Sequence, residues 1–182
     1  MITPGTRITN ARTGQVMRFL KMGAETNGAL LRIECISPPS TVREPEHIHP
    51  MQENRFEILS GSCTFSVDGK ERLAKAGEVV TVPPGTRHCF WNAGAEDAHY
   101  IQEFRPAGTI AEFFSTFFAL ANDGKLNEKG IPNFFHVSVI GLAHKNDIRL
   151  TSPPWALQYI LYVLLAPIGK LMGFRASYSS KN

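Results

Sequence analysis

The sequence has no run of Lys or Arg interleaved with aromatics, no phosphate loop, no dinucleotide fingerprint, no Ser-His-Asp arrangement and no Cys-x-x-Cys pair. With a formal net charge of only +3, the first absence argues against nucleic acid as a partner. The others leave no signature of nucleotide chemistry or of a hydrolytic triad. Three cysteines, Cys35, Cys63 and Cys89, are too few and too unevenly spaced for a disulfide framework, which predicts free buried thiols in a reducing compartment. The N-terminal MITPGTRITNARTGQV lacks the apolar centre of a signal peptide, so the expected location is cytoplasmic. Long hydrophobic runs are also scarce. The most apolar segment, Trp155 to Ile168, holds fourteen residues and includes Gln158 and Pro167. A spanning helix needs roughly 20 apolar residues. The segment is expected to be a helix buried against the rest of the fold or a second subunit, with contact to a membrane surface as the competing account.

What is present suits one globular domain with an appendage. Hydrophobic residues make up 43% of the 182 and charged residues 19%. Between Gln15 and Glu103 short β-type segments alternate with turn residues. ALLRIECI ends at Pro38-Pro39, SCTFSV runs into Asp68-Gly69, and GEVVTV stops at Pro83-Pro84-Gly85. Asp-Gly is a hairpin signal because the turn needs positive φ. Regularly spaced short strands predict a sandwich or barrel.

After Pro106 the apolar period changes from 2 to 3.6. Thr109 and Glu112 have capping-box spacing, and Ile110, Phe113, Phe114, Phe117 and Phe118 share one helical face. A second helix is expected from Ile131-Pro132 to about His144. A third opens with Ser152 as N-cap and is broken or kinked at Pro167. The expected organisation is a β-barrel over residues 1–106 and a helical extension over 107–182. The extension should pack on the barrel or a dimer partner, with Trp155 to Leu165 as its most buried helix.

Two clusters carry chemistry. In His47-Ile48-His49 the two imidazoles, two residues apart on a strand, point to one face. In GEVVTVPPGTRHCFWN, His88 opens a strand after the Pro83–Gly85 turn. If these strands face one another, three imidazoles converge, and convergent neutral imidazoles suit transition metals. His99, His136 and His144 lack such a pattern and read as structural or exposed. Cys89, next to His88, should face away from the site.

The second cluster resembles the second motif of the cupin superfamily, G-x5-P-x-G-x2-H-x3-N, at Gly77, Pro83, Gly85, His88 and Asn92. The first resembles the first cupin motif, G-x5-H-x-H-x3,4-E-x6-G, at His47, His49 and Gly61, with Thr41 in place of the leading glycine. The expected glutamate is displaced. Counting from Gly61 gives Asn54, whereas the shorter spacing from His49 gives Glu53. Strand parity puts Asn54 with Phe56 and Ile58 on the inner face and Glu53 with Arg55 and Glu57 on the outer one. A bulge after Pro50 would re-aim Glu53.

The resemblance spans about residues 15 to 106. It implies an antiparallel jelly-roll barrel of six to eight strands, a divalent transition metal (Fe, Zn, Ni, Cu or Mn), a homodimer and a small-molecule ligand or substrate. The metal would be held by His47, His49, Asn54 and His88. QENRFEILSG followed by a helical tail also resembles a group of bacterial cupins. The implied chemistry is metal-dependent oxidoreduction, with a dioxygenase on a small aromatic or apolar substrate as the first reading. Phe56, Phe65, Phe90, Trp91 and Phe104 would line the pocket, and Glu53, if not a ligand, would be the nearest base. A non-catalytic ligand-binding or sensor protein and a metal-dependent isomerase or lyase are the alternatives.

Overall fold

Residues 2–40 and 42–180 are described by a computed structural model. Thr41, at the motif's leading position, lies outside them. Ten strands precede the extension: β1 (Arg7–Thr9), β2 (Val16–Lys21), β3 (Leu31–Ser37), β4 (His47–Ile48), β5 (Glu53–Ser60), β6 (Ser62–Val67), β7 (Lys70–Lys75), β8 (Val79–Val82), β9 (His88–Trp91) and β10 (Ala98–Arg105). The extension contributes α1 (Ile110–Asn122), α2 (Phe134–Ala143), β11 (Arg149–Leu150) and α3 (Trp155–Leu171).

The strands form two antiparallel sheets, ordered β1-β2-β3-β10-β5-β8 and β11-β4-β9-β6-β7. Alternation explains both. In β5, Asn54, Phe56 and Ile58 are buried while Glu53, Arg55 and Glu57 stay partly exposed. The sheets meet through aromatic side chains: Phe56 lies 4.9 Å from Phe65 and 4.8 Å from Phe90, ring centre to ring centre, in tilted or edge-on contacts. Asp68 and Gly69 close the β6–β7 hairpin with positive φ, as expected. Gly61 is required where it stands, since a Cβ there would run into the Asp97 carbonyl.

The extension is joined to the β-layer. Its β11 pairs with β4, Arg149 opposite Ile48 and Leu150 opposite His47, so a strand from the tail borders the His-x-His segment. Ile110 is fully buried in the main core, and Ala107, Ala111 and Phe118 pack with it.

Several helix expectations need correction. Thr109 does not cap α1 with its side chain. Its hydroxyl donates to Asp147 Oδ2 at 2.6 Å and lies 2.7 Å from His144 Nδ1, so the group is spent on a cross-chain network. Ser152 is too far from the start of α3 to cap it. Pro154 holds that position, and the helix runs through Pro167 to Leu171. Nor is α3 the most buried helix. It packs on α2, with Tyr162 against Gly141 and Gly169 against Phe135 and Val139, and leaves Leu157, Ile160, Leu164 and Ile168 in solvent. The burial sits in α1 instead. α2 starts later than expected, at Phe134, where the Asn133 side chain accepts the His136 amide at 2.9 Å.

The contrast between helices predicts a contrast in stability. Ile110→Ala should cost about 2–5 kcal/mol, as truncations of buried aliphatic side chains do. Leu164→Ala should stay within about 0.5 kcal/mol. Urea unfolding of the two variants checks this, and similar losses would contradict the placement of the helices.

Candidate metal centre

His47 lies opposite His88 in the β4–β9 ladder, and His49 follows one residue beyond the end of β4. Cross-strand pairing and the two-residue step therefore bring three rings together, with centroids 4.5–5.2 Å apart. One ring nitrogen from each falls within 4.8 Å of the others. His49 and His88 are buried and His47 is partly so.

Each ring is held from behind in the same way. Nδ1 of His47 is 3.0 Å from the Pro45 carbonyl, Nδ1 of His49 is 2.7 Å from that of Asp147, and Nδ1 of His88 is 2.9 Å from that of Thr86. A carbonyl only accepts, so each Nδ1 carries the proton. Each neutral ring then keeps its lone pair on Nε2. This is the outer support that metal-binding imidazoles require. Burial, together with the neighbouring rings, holds His47 well below the usual histidine range. It brings His49 down to about 3 and lowers His88 as well. Three neutral imidazoles, each with its Nε2 lone pair free of a proton, fit a first-row transition metal ion.

Asn54 lies beside the imidazoles, on the inner face that parity assigns to it. Asn54 is 1% exposed and its Nδ2 lies 3.4 Å from His88 Nε2, while Gln102 Nε2 donates to Asn54 Oδ1 at 3.2 Å. Glu53 points to the other face, 3.7 Å from Arg105. It adjoins neither the imidazoles nor the cavity below, which removes it as the nearest base. The motif's Asn92 has a structural task. Its amide donates to the carbonyls of Ser37 and Glu96, and its oxygen accepts the Gly94 amide. Gly85 donates its amide to the His49 carbonyl at 2.8 Å, tying the two motifs together.

Asp147 holds more than His49. Its carboxylate accepts from Gln52 Nε2 at 2.6 Å, from the Thr109 amide at 3.1 Å and from the Thr109 hydroxyl. Gly108 has positive φ and passes so close that a Cβ would overlap Asp147 and Gln52. The other histidines lie outside the cluster: His99 pairs with Glu34 at 3.1 Å, His136 stacks on Phe174, and His144 joins Thr109. Cys35 and Cys63 are buried free thiols, and Cys89 is partly exposed.

A cavity of about 140 Å³ opens beside His47 and His49. Its apolar wall is not the one expected. Phe56, Phe65 and Phe104 are consumed by the core, and Trp91 stacks under Arg43 at 3.6 Å. Phe90 does line the cavity, and Phe113, Phe114, Phe117 and Phe118 of α1 join it in the wall. The carboxylate in the lining is Glu44, 3.4 Å from Arg12 and raised in pKa by burial. No motif marks Glu44. The phenylalanine stripe was visible as a helical face, but not what lay opposite it.

The depressed histidines give a pH dependence whose sign is set by protonation. In metal-free protein the unfolded chain binds protons near pH 6.5, whereas the folded rings resist them to lower pH. Stability is therefore full above about pH 6.5 and falls as pH drops toward the folded values, by up to about 1.4 kcal/mol per pH unit for each histidine. Urea midpoints at about pH 7 and about pH 5 should differ accordingly. Replacing the three histidines by Gln should flatten the profile. An equally steep profile in that variant would contradict the reading.

Comparison with known proteins agrees with this geometry. Residues 34–102 match the family model of the cupin domain. A probable oxidoreductase of Hypocrea virens is 32% identical over 148 residues, covering 74% of this chain and 66% of its own length. An oxidoreductase of Arthrobotrys oligospora is 27% identical over 149 residues, covering 73% and 57%. The chain thus spans about two thirds or less of these curated relatives. Both are fungal, where the sequence resemblance pointed to bacterial proteins. Among solved structures, a predicted oxalate decarboxylase from Thermotoga maritima superposes with a TM-score of 0.50 and 26% identity, covering 58% of this chain and 99% of that one. The family match falls on the β-layer and the motifs within it, and residues 34–102 of the chain are a cupin domain.

Proposed function

We propose that the protein is a metal-dependent oxidoreductase, of the dioxygenase type, acting on a small aromatic or apolar molecule. The observation that carries this is three neutral imidazoles converging beside an apolar cavity, with His47 and His49 in its wall alongside Phe90 and four phenylalanines of α1. His47, His49 and His88 would hold a divalent transition metal, with Asn54 at the fourth position. When bound, such an ion supplies Lewis-acid polarisation and, for a redox-active metal, electron transfer. The chain's own residues do the remainder. An engineered apolar cavity of about 150 Å³ accepts one benzene ring, so the space here suits a single-ring molecule. The phenylalanines of α1 would exclude water and orient it. Glu44, its carboxyl raised by burial and flanked by Arg12, is placed to hold or release a proton at the cavity wall. Oxalate, named for the fold neighbour, would bring two charges against those phenylalanines, which argues against it here.

Asn54 supports a second reading. A neutral amide where the motif has a carboxylate leaves the ion's charge less compensated and its affinity lower. That suits a non-catalytic protein that binds a small anionic ligand.

Oxygen consumption with a panel of catechols and cyclic enols separates the readings. Turnover that stops under nitrogen, and falls at least about 100-fold in Glu44→Gln without loss of metal, is expected for an oxygenase with a proton-handling carboxylate. Binding of panel members without consumption would establish the second reading, and oxygen-independent conversion would point to an isomerase or lyase. Metal titration should show tighter binding in Asn54→Glu and little change in Glu53→Ala. Loss of metal in Glu53→Ala alone would overturn the assignment of the fourth position.

A further inference from the structure

Among the described residues, exposed large apolar side chains concentrate on the solvent side of α3. Leu157, Tyr159, Ile160, Val163, Leu164 and Ile168 are all exposed along it, and Leu171 at its end is 90% exposed. The opposite side is buried at Gln158, Tyr162, Ala166 and Gly169 and packs on α2 through Tyr162 and Gly169. The helix is therefore secured to the protein along one edge and bare along the other. No charged residue lies between Arg149 and Lys170.

Charge singles out what covers this face. No acidic residue follows Asp147, whereas Arg149, Lys170, Arg175 and Lys181 do, four basic residues that exceed the whole chain's net charge of +3. Arg149 stacks on Trp155 at 4.0 Å, and Lys145 lies 5.6 Å from the Tyr159 ring centre, which puts cations and amphipathic aromatics together at the start of the helix. Lys170 and Arg175 stand exposed at its other end. A basic-flanked apolar strip with Trp and Tyr suits the boundary between headgroups and acyl chains of an anionic bilayer. A second copy of the chain fits less well. It would bring like charges to both ends of the strip, and the apolar positions lack the polar rim that gives a protein interface its register. No helix among the described residues is long and apolar enough to cross a membrane. A helix of this length reaches about 25 Å, against about 30 Å of hydrocarbon, and it is held along the protein.

We infer that α3 docks the protein on the surface of an anionic membrane, its Leu157–Leu171 face entering the lipid and Arg149, Lys170 and Arg175 contacting the headgroups. Of the two sequence-based expectations for this segment, burial and membrane-surface contact, this takes the second, because the fold leaves that face open. It stands independently of the reaction at the histidines. Tyr162, on the packed side of α3, lines the histidine cavity, so docking would bring that cavity close to lipid.

Flotation of the full chain with vesicles tests the inference, using equal parts phosphatidylcholine and phosphatidylglycerol against phosphatidylcholine alone. The protein should float with the anionic vesicles and stay behind with the neutral ones, and high salt should release it. Ile160→Ser with Leu164→Ser should abolish flotation while leaving the urea midpoint unchanged, both sites being exposed. Lys170→Glu with Arg175→Glu keeps the apolar face intact and should cut partitioning at least about 10-fold. Equal binding to both vesicle types would overturn the electrostatic part of the inference. A protein that ignores both vesicles would overturn it altogether. If that protein also shows sedimentation-detected self-association lost in Leu164→Ser, the face is a contact between copies instead.

Discussion

A neutral imidazole has one N–H and one lone pair, and whatever binds the first decides where the second points. Backbone carbonyls take Nδ1–H of all three histidines at 2.7–3.0 Å, so the Nε2 lone pairs are left for the centre. Two of these carbonyls, from Pro45 and Thr86, lie two residues before their own histidines and are local. The third comes from Asp147, 98 residues away in the extension. The site is therefore assembled from both parts of the chain.

The same junction explains why the extension is shaped as it is. Asp147 can present its carbonyl to His49 only if its carboxylate is satisfied in the buried layer between β-strands and helices. Gln52 and Thr109 supply those hydrogen bonds. Their closeness requires a residue without a Cβ at Gly108. β11 then runs beside β4, and α1 turns its phenylalanines toward the cavity. Removing the extension would remove one imidazole's support and the cavity's main wall together.

Much of this was legible from residue order alone. Period-2 alternation and turn residues located the strands because each sheet has one face in the core. The second motif located His88, and parity separated Asn54 from Glu53 because a strand's side chains must alternate. What could not be read was set by distant partners. A backbone carbonyl such as that of Asp147 leaves no side-chain signature, and a two-residue strand such as β11 has too few positions to show a period. Helical periodicity gave the face of α1, and overall apolarity marked α3, without saying what either meets. In α1 the stripe meets a cavity as well as a core. In α3 most of the apolar positions meet solvent, so apolarity alone was a poor guide to burial there.

The central claim is that the three imidazoles form one metal centre through their Nε2 atoms. Metal analysis of protein purified without a histidine tag, followed by X-ray absorption at the edge of the metal found, tests it most directly. The account predicts one transition metal ion per chain with three imidazole nitrogens at roughly 2.0–2.2 Å, and loss of that signal in His88→Ala. Protein that takes up no ion when offered Fe, Zn, Ni, Cu or Mn, or an ion whose coordination is unchanged in His88→Ala, would contradict it.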